Sequence, residues 1–501
     1  MADQENDKNK ISQAEGKVKA GNISRRKLMA VGAGASVAAA SVMATSAAAM
    51  SRGQEKVKPR KNKNHADVII VGGGFCGVTA ARELGLQGYD ITLLEARNRL
   101  GGRTFTAEFA GEMTDLGGTW VHWHQAHVWS EIDRYGIELE ETFGAIAEDI
   151  IYLDYQGNRH KTKLSKIWAN YSEFESLMSR YFENAYDIIP RPSRPFADDR
   201  WVKEDIYSLQ DKLNSVVASD VEKIYLDTLL TTLGSSPPEQ VSWISIMQMF
   251  ALSGYTGTVF NDVTMRYKIK GGTKVLLEKI AGDSKSDIRL STAVRKISQL
   301  EDGVEVITDA GERLTAKSLI CTLPMNVLKD VEFSPALLKG KLDASRQTHA
   351  GKGTKVHIQL DKEYPVFAGW APGGKAPMNY VLWDGVKHGK THLIAFGPST
   401  ETLDMNDTEE VEAAIRKFLP DARVEQAFGY GWNDDPYSQG VWCVSRPGQM
   451  SKFLAPLQEA QGRIHFANSD WANGWRGFID GAIEQGLVVS NNVHQQLSPS
   501  K

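Results

Sequence analysis

The 501-residue sequence has few cysteines, no excess of basic residues and no evident internal repeat. Its three cysteines, Cys76, Cys321 and Cys443, show no CxxC spacing, so neither a structural zinc site nor a disulfide framework is expected. A formal net charge of -4 supplies no basic field that could hold a nucleic acid backbone. We therefore expect free buried thiols, no metal and no nucleic acid partner.

What the sequence does contain is the composition of a folded protein, with 42% hydrophobic and 24% charged residues. Its length suffices for roughly two or three domains of about 150 residues each. Residues 1–50 are set apart, because Arg25 and Arg26 precede a stretch rich in small residues that has no charge from Leu28 to Ser51. This segment resembles a twin-arginine export signal and predicts a periplasmic protein. The alternative is a membrane anchor of similar length. Residues 51–65 are expected to be a solvated linker.

A dinucleotide-binding unit is predicted directly after this linker. A β-branched run at 68–71 leads into the glycines of a G-x-G-x-x-G turn, Gly72, Gly74 and Gly77. These glycines suit a tight turn, a close approach of backbone to pyrophosphate, and close packing of helix on strand. A helical stretch and a second strand follow, and this strand ends at Glu95, where a carboxylate can accept the ribose hydroxyls.

Further motifs decide between NAD and FAD. The segments "EARNRLGGRTFT" and "DLGGTW" follow the second strand, "STAVRKI" and "SLICTLP" lie in mid-chain, and "GRIHFANSDWANGWRGFIDGAIEQG" lies near the end. In this order they resemble the flavin amine oxidase family over essentially the whole mature chain. The last segment resembles the one that contacts the flavin in this family, and a nicotinamide dehydrogenase does not need such a segment. The resemblance therefore implies FAD.

The resemblance also implies an α/β fold with two domains assembled from separated stretches. A Rossmann-like FAD-binding domain would take residues 66–140, 266–335 and 451–495. A substrate domain, a mixed sheet roofed by helices, would take a helical part at 141–265 and a strand-rich part at 336–450. The sequence patterns agree, since the first part looks helical and the second alternates in the manner of strands.

Several residues match the family's FAD contacts. Arg97 and Arg103 can offset the charge of a diphosphate. The closing helix would aim its positive N-terminus at the flavin and favour the anionic reduced form. The resemblance implies this set of contacts beside the three glycines: Glu95, Arg97, Gly102, Arg103, Gly118, Thr119, Val294, Asp470 and Ile479.

A cysteine near the flavin raises the question of a covalent link. Covalent members of the family tether the flavin through a cysteine directly before an aromatic residue. Here "YSQGVWCVS" places Val441 at that position, and Cys443 is two residues further on, about 6.6 Å along a strand. We therefore expect noncovalent FAD.

The resemblance assigns substrate-binding roles to aromatic residues. Trp442 and Phe478 match the two rings that flank the path to the flavin and hold the amine between them. Trp120 and His122, in "TWVHWHQAH", are further candidates for contact with the amine. A metal site on the histidines of that segment is not favoured, because no nearby carboxylate or thiolate completes a ligand set.

Lys355 is the candidate catalytic residue. The family places a lysine on a strand beneath the flavin, bridged to N5 through water, and Lys355 in "HAGKGTKVHIQL" matches it, with Lys352 as runner-up. Lys355 begins an alternating strand pattern, in which His357 and Gln359 lie on the same face of the strand as Lys355. A cation there could stabilise the reduced flavin, and also negative charge on oxygen if O₂ is the acceptor.

These observations predict an exported FAD-dependent amine oxidase. Hydride would pass from the α-carbon of a secondary amine to flavin N5, and water would hydrolyse the imine. The resemblance is strongest to bacterial oxidases of nicotine-type alkaloids, so 6-hydroxynicotine, pseudooxynicotine and nicotine are candidate substrates. O₂ or a periplasmic cytochrome would reoxidise the flavin, and a homodimer is left open. The alternatives are a polyamine oxidase with carboxylates such as Glu141 or Asp149 along its funnel, an aromatic monoamine oxidase, and a noncatalytic flavin-binding protein.

Overall fold

The computed structural model describes residues 64–142, 147–374 and 376–498. The predicted export signal and the predicted linker as far as residue 63 lie outside these ranges. The first strand begins at His65, one residue before the predicted start of the FAD-binding domain. Among the described residues, no helix is long and apolar enough to cross a membrane.

Helices and strands alternate along most of the chain. The helices are α1 (Phe75–Leu86), α2 (Ala126–Tyr135), α3 (Leu164–Ile167), α4 (Tyr171–Tyr181), α5 (Ala185–Ile188), α6 (Leu209–Ser215), α7 (Asp220–Gly234), α8 (Trp243–Leu252), α9 (Gly257–Val263), α10 (Lys274–Asp283), α11 (Lys339–Gln347), α12 (Thr408–Ile415), α13 (Gln449–Gln458) and α14 (Ile479–Leu497). The strands are β1 (His65–Val71), β2 (Ile91–Leu94), β3 (Thr106–Phe109), β4 (Glu112–Asp115), β5 (Trp120–Val121), β6 (Leu139–Glu141), β7 (Asp149–Leu153), β8 (Arg159–Lys163), β9 (Tyr267–Ile269), β10 (Asp287–Arg289), β11 (Val294–Gln299), β12 (Val304–Thr308), β13 (Arg313–Cys321), β14 (Glu332–Ser334), β15 (Thr354–Leu360), β16 (Ala368–Trp370), β17 (Tyr380–Lys387), β18 (Lys390–Gly397), β19 (Val424–Gly429) and β20 (Ile464–Phe466).

The first large sheet carries the predicted dinucleotide-binding turn. Its strand order is β10-β2-β1-β13-β12-β11-β14, and β20 also pairs with β13. β1 runs parallel to both β2 and β13, and its residues from Val68 onward are buried because helices cover the sheet. α1 packs against β1 and α14. The sheet is therefore assembled from three distant parts of the chain.

The second large sheet has the order β19-β15-β18-β17-β16-β7-β8 and is mixed, since β16 pairs in parallel with β7 and the other pairs are antiparallel. The expectation that residues 141–265 are helical does not hold for residues 149–163, which form β7 and β8. A tight turn explains the hairpin, because the Asp154 carboxylate accepts from the backbone N–H groups of Gln156 and Asn158 and Gly157 has a φ of +86°.

Helices α3 to α9 follow this hairpin and lie within residues 164–263. α7 begins with a capping box between Ser219 and Glu222. α8 is buried from Trp243 to Ala251, as expected for a helix that other elements surround on every side. Two sheets with helices packed on them confirm the predicted α/β class.

Candidate functional site

A cavity of about 490 Å³ brings most of the predicted site residues together. Segments of both large sheets and of helices α7, α8 and α14 line it. The predicted residues on its wall are Gly72, Gly74, Glu95, Arg97, Gly102, Arg103, Gly118, Thr119, Trp120, Val294, Lys355, Trp442, Phe478 and Ile479. Gly77, His122 and Asp470 are the predicted residues that do not line it.

The glycine turn after β1 is as tight as its spacing indicates. Gly72 has a φ of +109°, and a Cβ there would lie 2.4 Å from Thr322 Oγ1. A Cβ on Gly77 would lie 2.0 Å from Gly72 O, so Gly77 serves the packing of α1 on the turn and not the cavity wall. At Gly74 a Cβ would meet only Gly101 O, at 3.8 Å, in a turn that faces the cavity. Backbone is therefore all that a ligand would meet at Gly74.

Glu95 is buried at the end of β2, on the cavity wall. One carboxylate oxygen accepts from Gly73 N at 2.7 Å and the other accepts from Arg97 N at 2.8 Å. Each oxygen keeps a further lone pair that can accept from a ligand hydroxyl. The backbone thus fixes the carboxylate in the position that the motif predicts.

Each of the two predicted arginines is held by a distant carboxylate. Arg97 Nε donates to Asp435 Oδ2 at 3.1 Å, and a second bond joins the same two side chains. Arg103 donates to Asp470 and, through Nη1, to Val441 O at 3.0 Å. Asp470 lies behind the wall, so it positions Arg103. These pairs orient both guanidinium groups while leaving them on the cavity surface.

These features fit the diphosphate and ribose of a dinucleotide. The turn offers backbone without side chains at Gly74, and the helix N-terminus behind it favours an anion. Glu95 can accept ribose hydroxyls, and Arg97 and Arg103 supply positive charge on the same wall. The residues present would therefore hold FAD.

The closing helix, α14, begins at the cavity. Phe478 is its N-cap residue, and Phe478 and Ile479 both line the wall. Asp480 is buried in the first turn and accepts from the backbone N–H groups of His127 and Val128, at 2.7 and 2.9 Å. Asp480 thereby joins the N-termini of α14 and α2. Its side chain raises the pKa of His127, whose Nδ1 lies 3.0 Å from it.

Lys355 lies on the wall at the start of β15. Its Nζ donates to the carbonyl oxygens of Asp115 and Gly117, at 2.7 and 3.0 Å, and to Thr119 Oγ1. An ammonium group has three N–H bonds, so these acceptors use all of them. Nζ also lies 4.9 Å from the centroid of the Trp120 ring. Burial lowers the pKa of Lys355 to about 7.

The runner-up, Lys352, is not on the cavity wall. It is half-buried, and its Nζ donates to Gln439 O at 2.7 Å. The structure therefore favours Lys355 over Lys352 as the lysine next to a cofactor.

Aromatic rings cluster in one part of the cavity wall, which is called the aromatic end. The Phe396 ring lies 5.9 Å from the Trp120 ring and 6.4 Å from the Trp442 ring. Trp442 Nε1 donates to Leu233 O at 2.8 Å, which fixes the orientation of the indole. The other members of this aromatic end are Phe478, Leu233, Met249, Thr232 and Thr264.

His122 is placed differently from what its proposed contact with the amine requires. It is fully buried, and its Nε2 lies 3.0 Å from Asp262 Oδ2. Burial lowers its pKa, and Asp262 opposes that shift. His122 is close to His124 in the chain but pairs with a carboxylate 140 residues away. Within the described ranges, no group of three or more histidine, cysteine or acidic side chains could hold a metal ion.

Cys443 lies behind the wall, whereas Val441 lines it. The thiol is buried, its Sγ lies 3.5 Å from Asp470 O, and burial raises its pKa. Cys76 does line the cavity, but at the glycine turn, and burial raises its pKa as well. These positions agree with a packed thiol at Cys443.

The sequence predictions missed two kinds of site residue. Asp435 holds Arg97 across 338 positions, and no local pattern around "WNDDPYSQG" marks it. The helical residues Thr232, Met249 and Thr264 reach the aromatic end from α7, α8 and the end of α9. Their spacing matches ordinary core positions, so only the fold shows that they face a cavity.

Fold and site together define a flavin-dependent amine oxidoreductase. The sequence profile of flavin containing amine oxidoreductases matches residues 75–494. A second profile, of pyridine nucleotide-disulphide oxidoreductases, matches residues 4–134. The chain belongs to the flavin-containing amine oxidoreductase family, and it is an FAD-dependent enzyme that oxidises amines.

Similar proteins cover nearly the whole chain. A pseudooxynicotine dehydrogenase from Pseudomonas sp is 39% identical and spans 96% of this chain and 98% of its own length. A nicotine dehydrogenase from Pseudomonas putida (strain DSM 28022 / S16) is 34% identical and spans 95% of this chain and 98% of its own length. The structure of putrescine oxidase bound to putrescine has a TM-score of 0.74 at 22% identity, covering 86% of this chain and 99% of that chain. The last similarity shows the fold alone.

Proposed function

We propose that the substrate is a nicotine-type pyridine alkaloid whose secondary amine is oxidised at its α-carbon. The observation that carries this proposal is the composition of the aromatic end, where Lys355, next to the Trp120 ring, is the one titratable side chain among the described residues. The carboxylates on the cavity wall, Glu95, Asp309 and Asp330, belong to the first sheet and its connections. A wall of rings and two threonine hydroxyls suits a flat heteroaromatic amine with one reacting nitrogen.

The same composition weighs against a polyamine, whose second ammonium group needs a carboxylate. Glu141 is exposed and lies 3.6 Å from Arg266, and Asp149 lies 2.8 Å from Lys163 Nζ. Neither residue lines the cavity. The relatives agree, because two relatives that exceed 30% identity are named for pseudooxynicotine and nicotine.

FAD, when bound, accepts the hydride from the α-carbon. The protein's part is to bind and orient the amine and to keep bulk water away from it. The hydrogen bond from Trp442 Nε1 to Leu233 O fixes one of the two rings that flank the amine. The other ring, Phe478, is fixed as the N-cap residue of α14. Because the aromatic end offers no carboxylate, it favours the unprotonated amine, which is the form that can donate a hydride.

For the electron acceptor we propose a periplasmic redox protein such as a cytochrome in preference to O₂. The support is that the pseudooxynicotine and nicotine relatives, at 39% and 34% identity, are named dehydrogenases, whereas the (S)-6-hydroxynicotine oxidase of Paenarthrobacter nicotinovorans is 28% identical. The test compares two reoxidation rates of the amine-reduced enzyme, with air and with a cytochrome c. Fast formation of H₂O₂ in air would favour O₂ instead.

We also propose export by the twin-arginine route, which is supported by Arg25, Arg26 and the uncharged stretch after them. Folded export fits a protein that binds its cofactor before it crosses the membrane. Fractionation of cells that lack the twin-arginine translocase should leave flavin-loaded enzyme in the cytoplasm. Periplasmic enzyme in those cells would refute this route.

Anaerobic titration of the flavin absorbance tests the substrate proposal. Nicotine, pseudooxynicotine and 6-hydroxynicotine should be compared with putrescine, spermidine and benzylamine. We expect rapid bleaching by at least one pyridine alkaloid and bleaching at least tenfold slower by the others, since a missing complementary charge costs about 1.4 kcal/mol or more. Faster bleaching by putrescine would refute the alkaloid assignment.

A further inference from the structure

Arg476 is a buried cation that the site described above does not use. It is 5% exposed, its Nε donates to Ala472 O at 3.2 Å, and its Nη1 lies 3.3 Å from Met450 Sδ. Nη2 is buried and has no hydrogen-bond partner among the described residues. Burial lowers the pKa of this guanidinium group. The charges of Asp205 and Glu484 partly oppose the effect of burial, but the hydrogen bonds of the guanidinium reach only one carbonyl and one thioether among the described residues, so another group is needed to complete them.

A second cavity lies next to this guanidinium group. Its volume is about 10 Å³, which is room for about one water molecule. Its polar lining consists of Arg476, Asp470, Cys443, Ser445 and Gln449, and the other lining residues are Met325, Met450, Phe453, Leu454 and Leu457. The unpartnered Nη2 therefore belongs to a side chain that borders a space of the right size for one small ligand.

The charges of the wall decide which ligand fits. The Asp470 carboxylate disfavours an anion in so small a space. One of its oxygens accepts from Arg103 and the other accepts from Met325 N at 2.9 Å, so further lone pairs are left. A water molecule can accept from Arg476 and donate to Asp470 at the same time.

We propose that this second cavity holds one ordered water molecule between Arg476 Nη2 and Asp470, and that Arg476 is a positioning residue for the substrate-binding rings. Arg476 directly precedes Gly477 and Phe478, which line the large cavity. Cys443, which also lines the small cavity, directly follows Trp442.

The two ring-bearing segments touch at this point, because a Cβ on Gly477 would lie only 2.7 Å from Cys443 O. The bridging water would tie Arg476 to Asp470, and through Asp470 to Arg103. The consequence for Trp442 and Phe478 rests on the proposed function, in which these rings hold the amine. The water site itself does not.

Thermal unfolding of the FAD-loaded enzyme tests the water site without using activity. If the guanidinium lacks further partners, Arg476→Met removes a badly solvated charge and leaves the Tm unchanged or raised. If the water completes its bonds, the same change leaves water and carboxylate unsatisfied and lowers the Tm by several degrees. Arg476→Lys should recover part of that loss, because it keeps the charge and its donors. A Tm of Arg476→Met at or above wild type overturns the proposal.

Steady-state kinetics test the positioning role. We expect Arg476→Met to raise the KM for the amine about tenfold, the scale of one charge-assisted hydrogen bond, while FAD content and the limiting rate of flavin reduction change less than about twofold. The matched control is Arg446→Met, because Arg446 lies three residues after Cys443. Its Nε and Nη2 donate to the carbonyl oxygens of Thr348 and His349, at 3.2 and 3.3 Å. It should lower the Tm without changing KM. An equal rise in KM in both variants would show that Arg476 acts only through general packing, and it would overturn the positioning role.

A crystal structure of the holoenzyme supplies the direct observation. Electron density for one water within hydrogen-bonding distance of Arg476 Nη2 and Asp470 supports the proposal. Absence of density, or an anomalous peak in this cavity after a bromide soak, overturns it. If no amine reduces the flavin of the wild-type enzyme, the proposed function fails, but unfolding and crystallography still decide the water site.

Discussion

Lys355 offers the sharpest test of how the protein acts on its cofactor. In Lys355→Met the side chain keeps its length but loses the Nζ group and its charge. Two of the oxygens that accept from Nζ keep another donor in this variant. His357 Nε2 still donates to Asp115 O at 3.1 Å, and Thr119 Oγ1 still donates to Gly117 O at 3.0 Å. We therefore expect a folded, FAD-loaded variant that loses about 1–3 kcal/mol of stability.

The expected kinetic effect is much larger than this change in stability. A cation on the cavity wall favours the anionic reduced flavin, and removal of one such electrostatic donor costs about 10²-fold in rate. Stopped-flow spectrophotometry should show that amine reduces the flavin of Lys355→Met measurably but about a hundredfold more slowly. Lys352→Met is the matched control, because Lys352 is three residues away, before β15 begins, and does not line the cavity. Wild-type rates in Lys355→Met together with impaired Lys352→Met would refute the assignment.

The pH dependence of the same variant gives an independent check. Burial lowers the pKa of Lys355 from 10.5 to about 7, so the unfolded chain binds more protons than the folded one between these values. Wild-type stability should therefore gain a contribution as pH rises from about 7 to 10.5, and Lys355→Met should lack it. In kcat/KM, loss of the lysine charge should give the free holoenzyme a descending limb above about pH 7. A descending limb that persists unchanged in Lys355→Met would show that another group titrates.

Three further predictions concern the cofactor and the aromatic end. Because Val441 stands at the tether position, acid precipitation should release all flavin into the supernatant, and yellow colour in the pellet would show a covalent link. Trp442→Ala should raise the amine KM about 10- to 100-fold while FAD content stays near wild type, since a desolvated ring in a binding site contributes about 1.4–3 kcal/mol; loss of flavin with normal amine kinetics would contradict its role. Gly77→Ala should abolish FAD binding or folding, because its Cβ would lie 2.0 Å from Gly72 O, whereas Gly282→Ala, with nothing within 4 Å, should be neutral or slightly stabilising by thermal unfolding.

The parts of the site that the sequence predicts are those that local geometry determines. The turn from Gly72 to Gly77 and the acid at the end of β2 depend on bonds within about 25 residues, so their spacing encodes them. The partners of the arginines do not: Arg97 meets Asp435 and Arg103 meets Asp470 across 338 and 367 positions. No spacing rule covers such distances, because the topology of two sheets brings these residues together.

The same distinction between local and long-range contacts explains where the structure differs from the sequence predictions. Strands β7 and β8 lie in a stretch that precedes many helices, and only their pairing with β16, from more than 200 positions further along the chain, makes them part of the second sheet. The sequence makes His122 a candidate for contact with the amine because it follows the predicted flavin contacts Gly118 and Thr119. The structure turns it instead toward Asp262, 140 positions away.

The division of charge along the cavity connects fold and chemistry. The first sheet and its connections supply every carboxylate on the wall and three arginines, and carboxylates behind Arg97 and Arg103 fix the direction of those two side chains. The second sheet, the helices, strand β5 and the segment after β19 supply rings, hydroxyls and Lys355. A dinucleotide brings its own charges and needs counter-charges, whereas an amine must be neutral to lose a hydride. Because the residues that bind the cofactor and those of the aromatic end come from different parts of the fold, the first set can stay the same while residues on helices or at their ends, such as Met249 and Thr264, determine which amine fits.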